Sequence, residues 1–314
     1  MSNTTFTFNP APWVPFKDKE VLERCRNLTR EELVQHPNPD FKINIVLATE
    51  GLFVADMVAR MMKSDIEDKP CVMIIPNPWP SAYQAVAHMV NNMRINCRNV
   101  HIFPMDEWAD DQGNIAPLDY QSGFGYSFMK YLVNAIDPEL RMPMSQVHHP
   151  DNKIAKDYTK MICDAGNGGA DICYSGPGWA GHIGFVDPCT PEFGTDDIEE
   201  FNNMGARIVT LHPLTIAQNS LHGTFGQSGD LAAVPPKAFT IGPLDVKNSK
   251  ERIEMHSIST YGTYSSWQRM ISRLVLHGPV TPLVPSSILQ QWPTKVYVSE
   301  TIAAPFGCDE IGGY

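Results

Sequence analysis

The chain has 314 residues, 43% of them hydrophobic, and a formal charge of −11 at neutral pH. That length is ample for one large α/β domain, and the excess of acids rules against non-specific binding to nucleic acid or anionic membrane, which needs basic surface. The mean hydropathy of −0.22 and pI near 5.3 are those of a soluble globular chain, and no stretch approaches the roughly 18 apolar residues of a membrane span.

Residues 1 to 16 carry Pro10, Pro12 and Pro15 among aromatics and read as an extended arm, followed by a charged helix from about Lys17 to Gln35. Alternation then begins. Ile43 to Ala48 reads as a strand, and Phe53 to Lys63 as a helix with Val54, Met57, Val58, Met61 and Met62 on one face. Cys71 to Ile75 is a short strand of buried type, and Ser81 to Met93 a helix with Pro80 near its start, where a missing amide proton costs little. A strand over Asn99 to Phe103 runs into an acidic pair. A loop to Ser122 and a helix from Gly123 to Ala135 follow.

In the second half, Ala170 to Tyr174, Ala206 to Leu211, Ala238 to Ile241, Arg252 to Ile258 and Lys295 to Val298 read as strands, and Thr263 to Leu276 as a helix. Strands alternating with helices predict an α/β fold: a doubly wound, mostly parallel sheet with helices on both faces. The expected divisions are an arm and helix over 1–38, the α/β domain over 39–300 and a tail over 301–314.

Seven scattered cysteines (25, 71, 97, 163, 173, 189 and 308) form no C-x-x-C pair, which favours reduced thiols and offers no zinc spacing. The N-terminus has neither a basic leader region nor a long apolar stretch, so a cytoplasmic location is expected.

Two segments carry the chemistry. Met105-Asp106-Glu107-Trp108 follows an apolar strand end, and Gly176-Pro-Gly-Trp-Ala-Gly-His182-Ile-Gly-Phe-Val-Asp187-Pro188 is a glycine-rich turn with a His and, five residues on, an Asp. α/β sheets bind ligands beyond their strand C-termini, so a carboxylate and an imidazole on two such loops can converge for acid/base work on a small polar molecule.

These segments resemble the glucosamine-6-phosphate deaminase/isomerase family, whose members read M-D-E-Y and G-x-G-x-D-G-H-I-A-F-N-E-P. Residues 278 to 290 are similar to a late segment of the same family, and the resemblance runs from about residue 40 to 300. It implies that Asp106 shuttles a proton between C1 and C2 of an open-chain sugar, with Glu107 beside it. It implies too that His182 opens the ring by protonating the ring oxygen, and that Asp187, one methylene shorter than the usual Glu, orients the imidazole. No metal or cofactor is implied, and self-association into a homo-oligomer is expected.

Several positions depart from the family. Ala180 stands where an Asp is usual, beside the bulky Trp179. The resemblance places the phosphate loop at Pro76-Asn77-Pro78-Trp79-Pro80-Ser81, where prolines remove amide donors. An expected phosphate-clamping Arg is Ile216, and Tyr261-Gly-Thr263-Tyr264 lacks an expected Lys. Together these imply a small-molecule sugar substrate without a 6-phosphate, held by Asn77, Trp79, Ser81, Gly178, Trp179 and Gly181, with Trp79, Trp108 and Trp179 as stacking platforms. A lactonase-type sugar hydrolase and a non-catalytic sugar-binding regulator stay open beside the isomerase or deaminase-isomerase.

Overall fold

The computed structural model describes residues 8–76, 78–257 and 266–305. In chain order these form α1 (Lys19–Arg26), α2 (Arg30–Leu33), β1 (Phe41–Val46), α3 (Glu50–Glu67), β2 (Cys71–Ile75), α4 (Pro80–Met93), β3 (Val100–Pro104), β4 (Asp106–Ala109) and α5 (Phe124–Phe128). There follow α6 (Tyr158–Gly166), β5 (Ile172–Ser175), α7 (Ile198–Asn202), β6 (Arg207–Thr210), α8 (Pro213–Asn219), β7 (Lys237–Thr240), α9 (Pro243–Asn248), β8 (Glu251–His256), α10 (Gln268–His277), β9 (Thr294–Ser299) and α11 (Glu300–Ala303).

Six strands make one parallel sheet in the order β1-β9-β8-β5-β2-β3. Parallel neighbours need long crossovers, and α3 and α4 supply those from β1 to β2 and from β2 to β3. Every residue of β2 is buried, as expected for a strand covered on both faces. The doubly wound α/β architecture expected from the alternation is therefore present.

The expected single helix over 17–35 is two short ones. The chain breaks at Asn27–Thr29, and Thr29 and Glu32 form a capping box that restarts it. The helix expected over 123–135 is α5 continued by a π-helical stretch, Met129–Val133. Of the helix expected from Thr263, the part before residue 266 lies outside the described residues, as do Asn77, residues 1–7 and the tail from 306.

The larger correction concerns a second sheet. Residues 106 to 109, read as loop, form β4, and β4-β7-β6 make a three-stranded antiparallel sheet. The strands expected near 206–211 and 238–241 belong to it and not to the parallel sheet. Met105 is the crossover point: its N–H donates to Ile75 O at 2.9 Å, and its carbonyl accepts from Ile241 N at 2.9 Å. A buried Asp-Glu pair has no strand propensity, so pairing with β7 overrides local preference. The crossover seats Asp106 beside the C-terminal ends of β2 and β5, where open α/β sheets bind ligands.

Candidate active site

A cleft open to solvent lies at this end of the sheet. Pro76 after β2, Asp106 at the start of β4, the Gly176–Gly178 turn after β5, His182 and Phe185 beyond it, and Gln218 and Asn219 on α8 all line it. The two groups that the sequence singles out, Asp106 and His182, therefore share one cleft.

Asp106 is buried, and its Oδ1 has no hydrogen-bond partner among the described residues. Burial, reinforced by the neighbouring Glu107 charge, pushes its carboxyl well above the usual carboxylate range. A carboxylate destabilised in this way is a stronger base once ionised. Glu107 plays a different part. Its Oε1 accepts from Trp108 N at 2.8 Å and Phe124 N at 3.0 Å, and its Oε2 accepts from Gly125 N at 2.6 Å. Both oxygens are spent on backbone donors that tie β4 to the start of α5, while burial lifts the group to about 7. Glu107 does not line the cleft.

His182 is held on one side only. Its Nδ1 lies 2.7 Å from Asp187 Oδ1 and 3.1 Å from Thr215 Oγ1. Thr215 Oγ1 also donates to Asp187 Oδ1 at 2.7 Å, and His212 N donates to Asp187 Oδ2 at 2.7 Å. With Oδ1 accepting, the Nδ1–H tautomer is fixed and Nε2 is left able to accept or pass on a proton. The shorter Asp187 therefore reaches the ring, and Thr215, which sequence reasoning did not single out, stands beside it.

The turn is shaped around this imidazole. Gly181 N donates to Gly178 O at 2.9 Å, Ser286 N donates to Gly181 O at 2.8 Å, and Ser286 Oγ donates to His182 O at 2.7 Å. A Cβ on Gly178 would sit 1.9 Å from His182 Nε2, so only glycine lets the ring occupy this place. Gly181 has φ +76°, the left-handed region that favours glycine. Gln268 Nε2 adds a 2.7 Å bond to Pro177 O.

Of the expected substrate-binding residues, Gly178 lines the cleft and Gly181 closes its turn; Trp179 follows Gly178 at the rim, 37% exposed and stacked on Trp267 with ring centroids 6.0 Å apart. Trp79 is half-buried against Phe53, and Ser81 is exposed on the first turn of α4; neither lines the cleft. Asn77 lies outside the described residues. Trp108 is no platform: it is fully buried among Phe124, Phe185 and Phe225, with its Nε1 donating to Ser122 O. Ile216 packs against the core. No Lys or Arg is among the described residues that line the cleft.

No family model matches the chain. Relatives do. A glucosamine-6-phosphate deaminase of Lactobacillus helveticus is 26% identical over 220 residues, covering 68% of this chain and 77% of its own. That of Rhodopirellula baltica is 33% identical over 147 residues, 47% of this chain and 49% of its own, and that of Staphylococcus haemolyticus 25% identical over 258 residues, 79% and 93%. The chain is thus similar to glucosamine-6-phosphate deaminases over most of its length. Among solved structures, a monomeric glucosamine-6-phosphate deaminase superposes with a TM-score of 0.65 at 19% identity, covering 84% of this chain and 99% of that one. A 6-phosphogluconolactonase from Leishmania guyanensis superposes with a TM-score of 0.57 at 12% identity, covering 85% and 99%. Deaminases and lactonases thus share this fold.

Proposed function

We propose that the protein is a sugar isomerase or deaminase-isomerase acting on an aldose or amino sugar that carries no 6-phosphate. The observation that carries this reading is the meeting of Asp106 and the Asp187-tethered His182 in one cleft. His182 Nε2 takes the proton of the anomeric hydroxyl and passes it to the ring oxygen as the C1–O5 bond breaks, leaving an open-chain aldehyde and the imidazole in its starting form. Asp106 then takes the C2 proton, giving a cis-enediolate or, from a 2-amino sugar, its 2-amino counterpart, and returns the proton to C1 while a proton of the C2 hydroxyl or amine passes to O1. In the amino-sugar case the resulting C2 imine adds water and releases ammonia. The absence of Lys and Arg from the described lining residues, with a net charge of −11, supports a substrate without phosphate.

The lactonase reading keeps the same imidazole as a base that activates water on a sugar lactone, and the shared fold with 6-phosphogluconolactonases favours keeping it as second. Exchange of the C2 proton in deuterated water, followed by NMR across free and phosphorylated sugars and amino sugars, separates the two. Asp106→Asn is expected to lower that exchange by about two to four orders of magnitude with ligand affinity little changed. Lactone hydrolysis without C2 exchange, or unaltered exchange in the variant, overturns the proposal.

A further inference from the structure

The α8 residues that line the cleft are both amides, and their orientation is chemically determined. Gln218 Oε1 accepts the Trp179 backbone N–H at 2.6 Å, which only the oxygen of the amide can do. Its Nε2 is therefore the atom left over, and this donor has no partner among the described residues although Gln218 is only 6% exposed and lines the cleft. Next to it, Asn219 Nδ2 donates to Thr215 O at 2.8 Å, one turn back on the same helix, so that Oδ1 is the atom left over. α8 thus turns one neutral donor and one neutral acceptor towards the site, from the helix whose Thr215 supports the Asp187–His182 pair.

A donor beside an acceptor, with no Lys or Arg among the described lining residues, suits a hydroxyl group. A phosphate offers acceptors only and brings charge that the amides do not neutralise. An amide N–H in the cleft lining with no protein partner among the described residues is open to a ligand, and a site that pairs a hydroxyl in this way rejects an analogue lacking it.

We propose that Gln218 is a specificity-determining residue whose Nε2 donates to a hydroxyl of an unphosphorylated sugar ring, away from the reacting C1 and C2. The proposal rests on the sugar-isomerase reading and names the substrate class for that site. The side chain does two things at once: Oε1 anchors the Trp179 turn and Nε2 reads the sugar.

Titration calorimetry with glucosamine and its 3-, 4- and 6-deoxy analogues tests it, because binding is measured whether or not the sugar turns over. The wild-type protein is expected to bind one deoxy analogue about three- to tenfold more weakly than the parent, the worth of one neutral hydrogen bond. Gln218→Met, which keeps the volume and removes the amide, is expected to abolish that difference. An equal weakening of all four sugars by the substitution would show that Gln218 only anchors Trp179, and failure of the wild type to bind any of them would overturn the proposal outright.

If Gln218→Met does not fold, Gln218→Glu retains the acceptor for Trp179 N–H and reverses the other atom from donor to acceptor. The deoxyfluoro analogue at the same carbon, which accepts but cannot donate, is then expected to bind the wild type and be rejected by the variant; the same affinity for both proteins refutes the assignment. A protein that binds these sugars with the expected preference and yet exchanges no C2 proton would sink the isomerase reading while leaving the hydroxyl assignment standing.

Discussion

Asp187→Asn attacks the site through one proton. The carboxylate takes three hydrogens: Oδ1 receives those of His182 Nδ1 and Thr215 Oγ1, each at 2.7 Å, and Oδ2 receives that of His212 N at 2.7 Å. An Asn has a single oxygen for these tasks. If its NH2 replaces Oδ1, it faces Nδ1 as a donor and forces the imidazole into the other tautomer, with Nε2 protonated and unable to accept. If it replaces Oδ2 instead, the amide meets the His212 N–H donor to donor, and a buried group is left unpaired at a cost of about 1–3 kcal/mol. The first arrangement spares stability and removes function. C2 exchange should therefore fall by about two to four orders of magnitude, equivalent to about 3–5 kcal/mol of transition-state stabilisation. Exchange kinetics by NMR, with urea unfolding alongside, distinguish the two arrangements. Wild-type exchange in a variant of wild-type stability would refute both the tautomer argument and the role given to His182.

The remaining predictions are closer to packing and burial. Gly178→Ala places a methyl 1.9 Å from His182 Nε2, so the ring must move by an ångström or more and part from Asp187; exchange is expected to drop about a hundredfold, with a melting experiment showing about 1–3 kcal/mol of overpacking. Glu254, fully buried on β8 against Ser175, is pushed up to about 8 by burial, while burial pushes His256, 3.9 Å away, down to about 3, so the two are neutral together and not an ion pair. The folded-state value of Glu254 is raised, so its contribution is complete below its ordinary value of 4.5 and is lost as pH rises through about 8. Glu254→Gln should flatten that decline, on the order of 5 kcal/mol at the alkaline end; urea unfolding at about pH 5 and about pH 9 checks it, and an equally steep decline in the variant rules Glu254 out as its source.

Much of the site was legible in the chain because its constraints are local. A His among glycines records how closely the backbone must approach the ring, as the Gly178 contact shows, and an Asp five residues after His182 lies within reach once the turn closes. Continuous apolar runs such as Cys71–Ile75 likewise announce strands buried on both faces, because every side chain there must leave water. These features pointed to the α/β class from sequence alone, and together with the family resemblance they brought Asp106, His182 and Asp187 forward as the candidate set. Tertiary structure decided what depends on distant partners. Residues 106–109 become a strand only because β7 pairs with them, and Glu107 becomes a backbone acceptor only because α5 begins against it. Trp108 looks like a sugar platform until Phe185 and Phe225 close over it. Thr215 and His212 reach Asp187 from 28 and 25 residues away, and Gln218 meets Trp179 across 39. Such hydrogen bonds leave no local pattern, because the energy that selects those residues exists only once the chain has folded.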